Sequence, residues 1–294
     1  MPASNRMPAS SRPPLSIVVT ARHGLDEVGE LLEVLVPEAE GVGAEIVLVG
    51  GPARPVPEAV HHIPLDDANL LRLRARGVSE ARGEIVAIGE DHAIPVPGWC
   101  EAVIRAHAES PDAAAIVGCL VNATPDTVAG RGNFLAFAAP WQPPMPELPS
   151  HRPPPVSTLS FKRSALEGLD GVPGRLESKL MPELFKRGEM AADDRVVVDH
   201  YQDHGIMWSI KNGFDNSRSS YGYLGMTLGP AERRRVARWV ARNIPRRTLA
   251  EARAANGEKH RADLVLVALI AAAAAAGGVI GTLNGPGRSP DRTA

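Results

Sequence analysis

At 294 residues and 44% hydrophobic content, the chain is long enough for one large domain or two small ones around an ordinary packed core, which excludes a wholly disordered protein. Its 32 Lys and Arg against 34 Asp and Glu leave no net positive excess, which argues against nucleic acid as a partner. Two cysteines, Cys100 and Cys119, form neither a disulfide framework nor a C-x-x-C metal spacing, and are expected as buried free thiols in a reducing compartment.

Residues 1–14 repeat M-P-A-S and lack any apolar core, so they read as a disordered tail and not as a secretory signal, with a cytoplasmic domain to follow. From Leu15 the run L-S-I-V-V-T-A-R predicts a buried parallel strand. A helix with Leu25, Val28, Leu31, Leu32 and Leu35 follows, broken at Gly41 and Gly43, and then a second strand, A-E-I-V-L-V-G-G. Strand, helix and strand in this order make a βαβ unit with a right-handed crossover. Pro52 to Pro64 reads as a linker and Leu70 to Arg82 as a helix.

The stretch Arg74 to Trp99 is the landmark of the chain. A helix ends near Gly83, a strand Glu84 to Ile88 follows, and the apolar run stops at Glu90-Asp91-His92. Two carboxylates and an imidazole at the carboxyl end of a buried strand lie where open α/β sheets place their sites. Further on, Trp99 to His107 reads as a helix and Ala113 to Cys119 as a strand. Eight prolines between Pro140 and Pro155, around Trp141, Gln142 and His151, predict a long irregular loop. Val156 to Leu169 returns to strand and turn, Leu176 to Arg187 is a helix ending at Gly188, and Arg195 to Asp199 is a last strand running into D-H-Y-Q-D-H at Asp199 to His204.

Pro230 opens a helix with Val236, Trp239, Val240 and Ile244 on one face. Between Ala231 and Arg261 nine Arg and one Lys face three Glu, and Leu264 to Leu283 are twenty residues without a charge. Twenty residues match roughly 30 Å of hydrocarbon, and the basic flank would place the preceding domain on the cytoplasmic side. A membrane anchor, an interfacial helix and a buried Ala-rich helix all fit; the small-residue face also suits a second helix, so a homo-oligomer through this segment is open.

These motifs resemble the GT-A fold of family 2 glycosyltransferases. L-S-I-V-V-T-A-R, A-E-I-V-L-V-G-G, R-A-R-G-V-S-E-A-R-G-E-I-V-A-I-G-E-D-H and P-V-P-G-W fall in the family's order and spacing over roughly Leu15 to His200. The resemblance implies a Rossmann-like α/β domain over 15–228 with a mostly parallel central sheet and flanking helices; charge and hydropathy then divide the rest into a basic amphipathic juxtamembrane helix (229–262), a hydrophobic membrane-associated helix (263–284) and a disordered tail (285–294). It implies an inverting transferase that moves a sugar from a nucleotide-diphospho-sugar to a hydroxyl of a lipid-linked or cell-surface glycan acceptor.

Position by position, Gly77, Ala81 and Gly83 fall on small residues of the family's helix. Thr20, Arg22, Arg74, Glu90, Asp91 and Trp99 fall at the donor site. Glu90, Asp91, His92 and His200 fall on the ligands of a divalent cation, Mg²⁺ or Mn²⁺, with His92 shifting preference toward Mn²⁺. Glu177 falls on the general base. Gly50-Gly51 replace the Asp that reads uracil in the family, and Ala75 replaces an Asn. Those departures keep a second reading open, a catalytically inactive, membrane-tethered scaffold of the same fold. A nucleotidyltransferase fits less well, because no Gly-rich phosphate loop follows the first strand.

Overall fold

The computed structural model describes residues 12–22, 24–67, 69–145, 148, 154–169, 171–201, 204–256 and 261–292. Most of the N-terminal segment, His151 of the proline-rich loop, and Gln202 and Asp203 of D-H-Y-Q-D-H lie outside them.

The elements run β1 (Leu15–Thr20), α1 (Gly29–Val42), β2 (Glu45–Val49), β3 (Val60–Ile63), α2 (Leu70–Glu80), β4 (Ile85–Gly89), β5 (Ala93–Pro95), α3 (Trp99–Glu109), β6 (Ala115–Asn122), α4 (Val128–Ala138), β7 (Leu159–Lys162), α5 (Arg163–Leu166), α6 (Met181–Arg187), β8 (Met190–His200), α7 (Ile206–Met226), α8 (Pro230–Asn256) and α9 (Arg261–Asn284). They form an eight-stranded sheet in the order β3-β2-β1-β4-β7-β6-β8-β5.

The β-branched runs of β1, β2 and β4 are buried on both faces, as interior parallel strands require. Their registers align Thr20 with Val49 and Val19 with Gly89, so the three strands end on one edge. Beyond β4 the expected mostly parallel sheet becomes mixed. β7 runs antiparallel between β4 and β6, and β5 antiparallel against β8. One face of the sheet packs on α1 and α3 through Leu31, Leu35, Trp99 and Val103; the other packs on α2 and α6 through Leu73, Val78, Met181 and Leu184. A separate cluster joins α4, α8 and α9.

Several elements differ from the sequence reading. The expected linker Pro52 to Pro64 contains β3, the last strand extends back to Met190, and the helix expected from Leu176 begins as a π-turn, Leu176–Leu180. The hydrophobic helix is α9, and it packs into the protein. Its small residues meet α7 of the same chain, where a Cβ on Gly277 or Gly281 would collide with the carbonyl oxygens of Phe214 and Arg218. The face that suited a second copy is therefore used internally. Residues 285–292, expected as a tail, end in a turn in which buried Ser289 donates to Asp215 at 2.7 Å.

His107 on α3 is buried, with Nε2 2.9 Å from Ser160 Oγ. Burial, helped by Lys162, pushes its pKa down from 6.5 to about 4. The unfolded chain therefore takes the proton first, and the stability tied to neutral His107 is whole above pH 6.5 and lost as pH falls toward about 4. The loss is at most about 3.5 kcal/mol at ~1.4 kcal/mol per pH unit. Melting temperatures measured across this window should fall less steeply for His107→Gln than for the parent; parallel curves would exclude His107 as the titrating group.

Candidate active site

α2 is fixed at both ends, which places Arg74. Asn69 caps its start by accepting from Arg72 N at 3.1 Å. Just past its end, Arg82 Nε donates to buried Glu45 at 2.8 Å and Gly83 N to Ser16 Oγ at 2.6 Å. Gly77 lies flush on Val18, where a Cβ would not fit. Arg74, one turn earlier, turns inward with its side chain only 5% exposed and forks between two carboxylates, Nη2 to Glu90 Oε1 at 3.0 Å and Nη1 to Glu177 Oε1 at 2.7 Å. A planar guanidinium suits this bridge, since its donors diverge at fixed angles. The π-turn Leu176–Leu180 carries Glu177 into reach, and π-turns of this kind are frequent at functional positions.

The sheet edge assembles the second group. β4 ends at Gly89, and Glu90-Asp91-His92 turn the chain so that Ala93 N donates to Glu90 O at 3.0 Å. β5 then pairs with β8, setting Ala93 opposite His200, and Tyr201 N donates to His92 O at 2.8 Å. This pairing brings the His92 and His200 rings to 4.7 Å between centroids, edge to face. Glu90, His92 and His200 each offer a ligand atom within 4.8 Å of the others. Glu90 divides its oxygens, with Oε1 toward Arg74 and Oε2 toward His92 Nε2 at 4.0 Å.

Asp91, expected in the ligand set, points elsewhere. Its Oδ1 bonds His92 Nδ1 at 2.6 Å, which leaves Nε2 for the cluster, the arrangement of a carboxylate that orients a ligating imidazole. Burial by itself would lower the His92 pKa, but Asp91 and the charge of Glu90 outweigh it and raise it. His200 behaves oppositely, pushed down to about 3 by burial and by His92, so it is a neutral imidazole at ordinary pH. A carboxylate oxygen with two imidazole nitrogens suits Mn²⁺ better than Mg²⁺. A cation with bonds of about 2.1 Å spaces its ligands about 3 to 4 Å apart, so atoms within 4.8 Å of one another would close by at most about 2 Å. We expect His200→Ala to abolish Mn²⁺ binding measured by calorimetry, and Asp91→Asn to weaken it by about 10- to 100-fold. Equal affinity in both variants would place the cation elsewhere.

Arg74, Glu90, His92, Glu177 and His200 line one cavity of about 620 Å³. Its far wall comes from α4, α7, α8 and α9, with Phe137, Trp208, Tyr221, Trp239 and Ile270 among the lining residues. The sequence reading gave no site role to these aromatics, whose signal is the density of Trp and Tyr in α7 and α8. Trp141, placed in the proline-rich loop by sequence, is fully buried and also lines the cavity. Trp99 does not reach it; it starts α3 inside the core at 4% exposure, because its helix face turns to α1 and the sheet. Thr20 ends β1 on the same sheet edge and Arg22 follows two residues later, but neither lines the cavity, and Arg22 lies within electrostatic range of Glu27, Asp91 and Asp291.

A sheet whose carboxyl edge carries a carboxylate and two imidazoles, faced by a buried guanidinium from α2, defines an α/β protein with a pocket at its strand ends, ionisable on one wall and apolar on the other. No protein-family model and no curated protein matches the sequence. Solved structures do match. The mannosyltransferase PcManGT from Pyrobaculum calidifontis, in complex with GDP-Man and Mn²⁺, aligns with a TM-score of 0.54 at 16% identity over 93% of this chain and 88% of that one. S. aureus TarS 1-349 in complex with UDP-GlcNAc aligns with a TM-score of 0.47 at 11% identity over 87% of this chain and 90% of that one. The chain thus shares the fold of PcManGT.

Proposed function

We propose that the protein transfers a sugar from a nucleotide-diphospho-sugar to an acceptor hydroxyl, with inversion at the anomeric carbon. The observation that carries this reading is the convergence of Glu90, His92, His200, Arg74 and Glu177 on one cavity at the carboxyl edge of a glycosyltransferase fold. A structure of the same fold holds GDP-Man and Mn²⁺, which supports a nucleotide sugar as donor and Mn²⁺ as cation.

Glu90, His92 and His200 would hold the cation, which when bound neutralises charge on a leaving diphosphate. Arg74 presents a guanidinium at the same wall, where it can bond phosphate oxygens while keeping Glu90 and Glu177 apart. Glu177 accepts the acceptor's proton as its oxygen attacks the anomeric carbon and the nucleoside diphosphate departs. Acceptor binding falls to the aromatic and apolar wall of α4, α7 and α8, which suits an acceptor with an apolar portion, such as a lipid-linked glycan, better than a wholly polar one. Convergence of these groups also favours catalysis over an inactive scaffold.

Among the described residues one helix, α9, is long and apolar enough to cross a membrane. We read the protein as membrane-associated, with this domain on the cytoplasmic side; the buried, unpaired Cys100 and Cys119 suit a reducing compartment. The deciding experiment is a thermal-shift screen of GDP- and UDP-sugars with and without Mn²⁺. We expect stabilisation by a donor that needs the metal, and about 2.7 kcal/mol at a hundredfold excess over Kd. No stabilisation by any nucleotide sugar in Mn²⁺ or Mg²⁺ would sink the reading.

A further inference from the structure

α9 has two unlike faces. Its inner face cannot be drawn away from the protein without breaking close contacts. Gly277 and Gly281 touch the backbone of α7, Gly278 touches Ser217 and Val240, and Gly213 of α7 accepts Ile270. At its start Asp263, fully buried, is bridged by Arg131 of α4, from Nε at 2.9 Å and from Nη2 at 3.2 Å. Helix α7 also buries Asn212, Asp215 and Ser219, polar groups that would enter hydrocarbon with α9, or be stripped of cover, if α9 crossed a bilayer.

The outer face is apolar and uncovered. Val265 is 62% exposed, Leu269 49%, Ile280 38% and Leu283 42%, and Ala272 and Ala276 between them are exposed too. Steps of three and four residues put all six on one line along the helix. α8 packs antiparallel beside α9, its Val240 against Gly278 and its Ala252 in a cluster with Leu266. Along its length α8 exposes Arg234, Arg235, Arg238, Arg242 and Arg246. An exposed apolar line on one helix and an exposed guanidinium row on its antiparallel neighbour are the two parts that a helix pair in a membrane interface combines.

We propose that the α8–α9 hairpin docks on an anionic lipid surface with α9 lying in the plane of the interface, still packed on α7, and not crossing the bilayer. The inference rests on the membrane reading above and specifies its geometry. Charge selects this occupant over a second copy of the chain. A symmetric pairing of the hairpin would bring two arginine rows together, whereas anionic headgroups neutralise the row while the apolar line enters the acyl boundary. Such docking would hold the acceptor wall of the cavity, to which α8 and α9 both contribute, beside lipid.

Flotation of the full chain with vesicles tests this. The parent should bind phosphatidylglycerol-containing vesicles at least about tenfold more tightly than pure phosphatidylcholine, since each arginine near the surface contributes about fivefold. Leu269→Glu with Ile280→Glu should abolish binding, and Arg238→Gln with Arg242→Gln should weaken it by about 25-fold. All variants should keep the parent's circular dichroism and melting temperature, and alkaline carbonate should strip the parent from vesicles. If the parent binds neither vesicle, the membrane reading falls and this inference with it. If the parent binds but resists carbonate, or binds unchanged with Leu269→Glu and Ile280→Glu, the in-plane geometry falls while membrane association stands. A dimer in sedimentation that Leu269→Glu dissolves would assign the line to a second copy and overturn the proposal.

Discussion

Glu177→Gln is expected to lower kcat by roughly 10²- to 10⁴-fold while donor affinity, read by thermal shift in Mn²⁺, stays within about twofold. The substitution preserves shape and still lets Arg74 Nη1 donate to the side-chain oxygen it now meets at 2.7 Å, so the wall of the cavity survives. What is lost is the basic oxygen that takes the acceptor's proton. The appropriate control is Glu183→Gln on α6, a half-exposed carboxylate in the same part of the chain that faces Arg187, for which no change in rate is expected. A rate equal to the parent's in Glu177→Gln would remove Glu177 from the reaction and leave it as a partner of Arg74.

The part of this site that was legible in sequence is the part built from short-range pattern. Buried strands announce themselves as β-branched runs, and β4, running up to Glu90, did so; α2, with its Arg74 and Gly77, followed from helical spacing. The convergence of His92 with His200 was suggested only by family resemblance, because it depends on β5, a three-residue strand with no pattern of its own, pairing with the end of β8. β3 was hidden because V-H-H-I carries two imidazoles and faces partly outward. α7 was missed for a different reason. Its contact with α9 is made by Gly213, Ser217, Arg218 and Gly225, so the apolar periodicity that marks a packed helix is absent, and backbone contact takes its place. The same logic concealed the fate of α9. Hydropathy measures transfer from water and cannot distinguish lipid from a glycine-lined neighbour, and the buried Asp263–Arg131 pair that ties α9 down joins residues far apart in sequence.

Arg74→Met should be the most destabilising single change in the site and should make the protein dependent on Mn²⁺ for its stability. Arg74 is the cation between Glu90 and Glu177, whose side chains are only 17% and 13% exposed, so solvent screens little of what its removal uncovers. Methionine fills much of the volume but leaves two covered carboxylates facing one another. Breaking a buried pair in this way costs about 3–5 kcal/mol, or about 5–15 °C in Tm for a chain of this size. Because Glu90 turns Oε2 toward His92 while Arg74 holds Oε1, a cation on the Glu90, His92 and His200 side restores part of the lost positive charge. The Tm of Arg74→Met should therefore rise more on adding Mn²⁺ than that of the parent, and adding His200→Ala should erase the difference. Arg74→Lys should fall between the two, since one ammonium on a flexible stem reaches either carboxylate but does not fork to both. If Mn²⁺ raises Tm equally in Arg74→Met and the parent, the guanidinium and the cation cluster are electrostatically independent, and Arg74 then serves the fold and not the diphosphate.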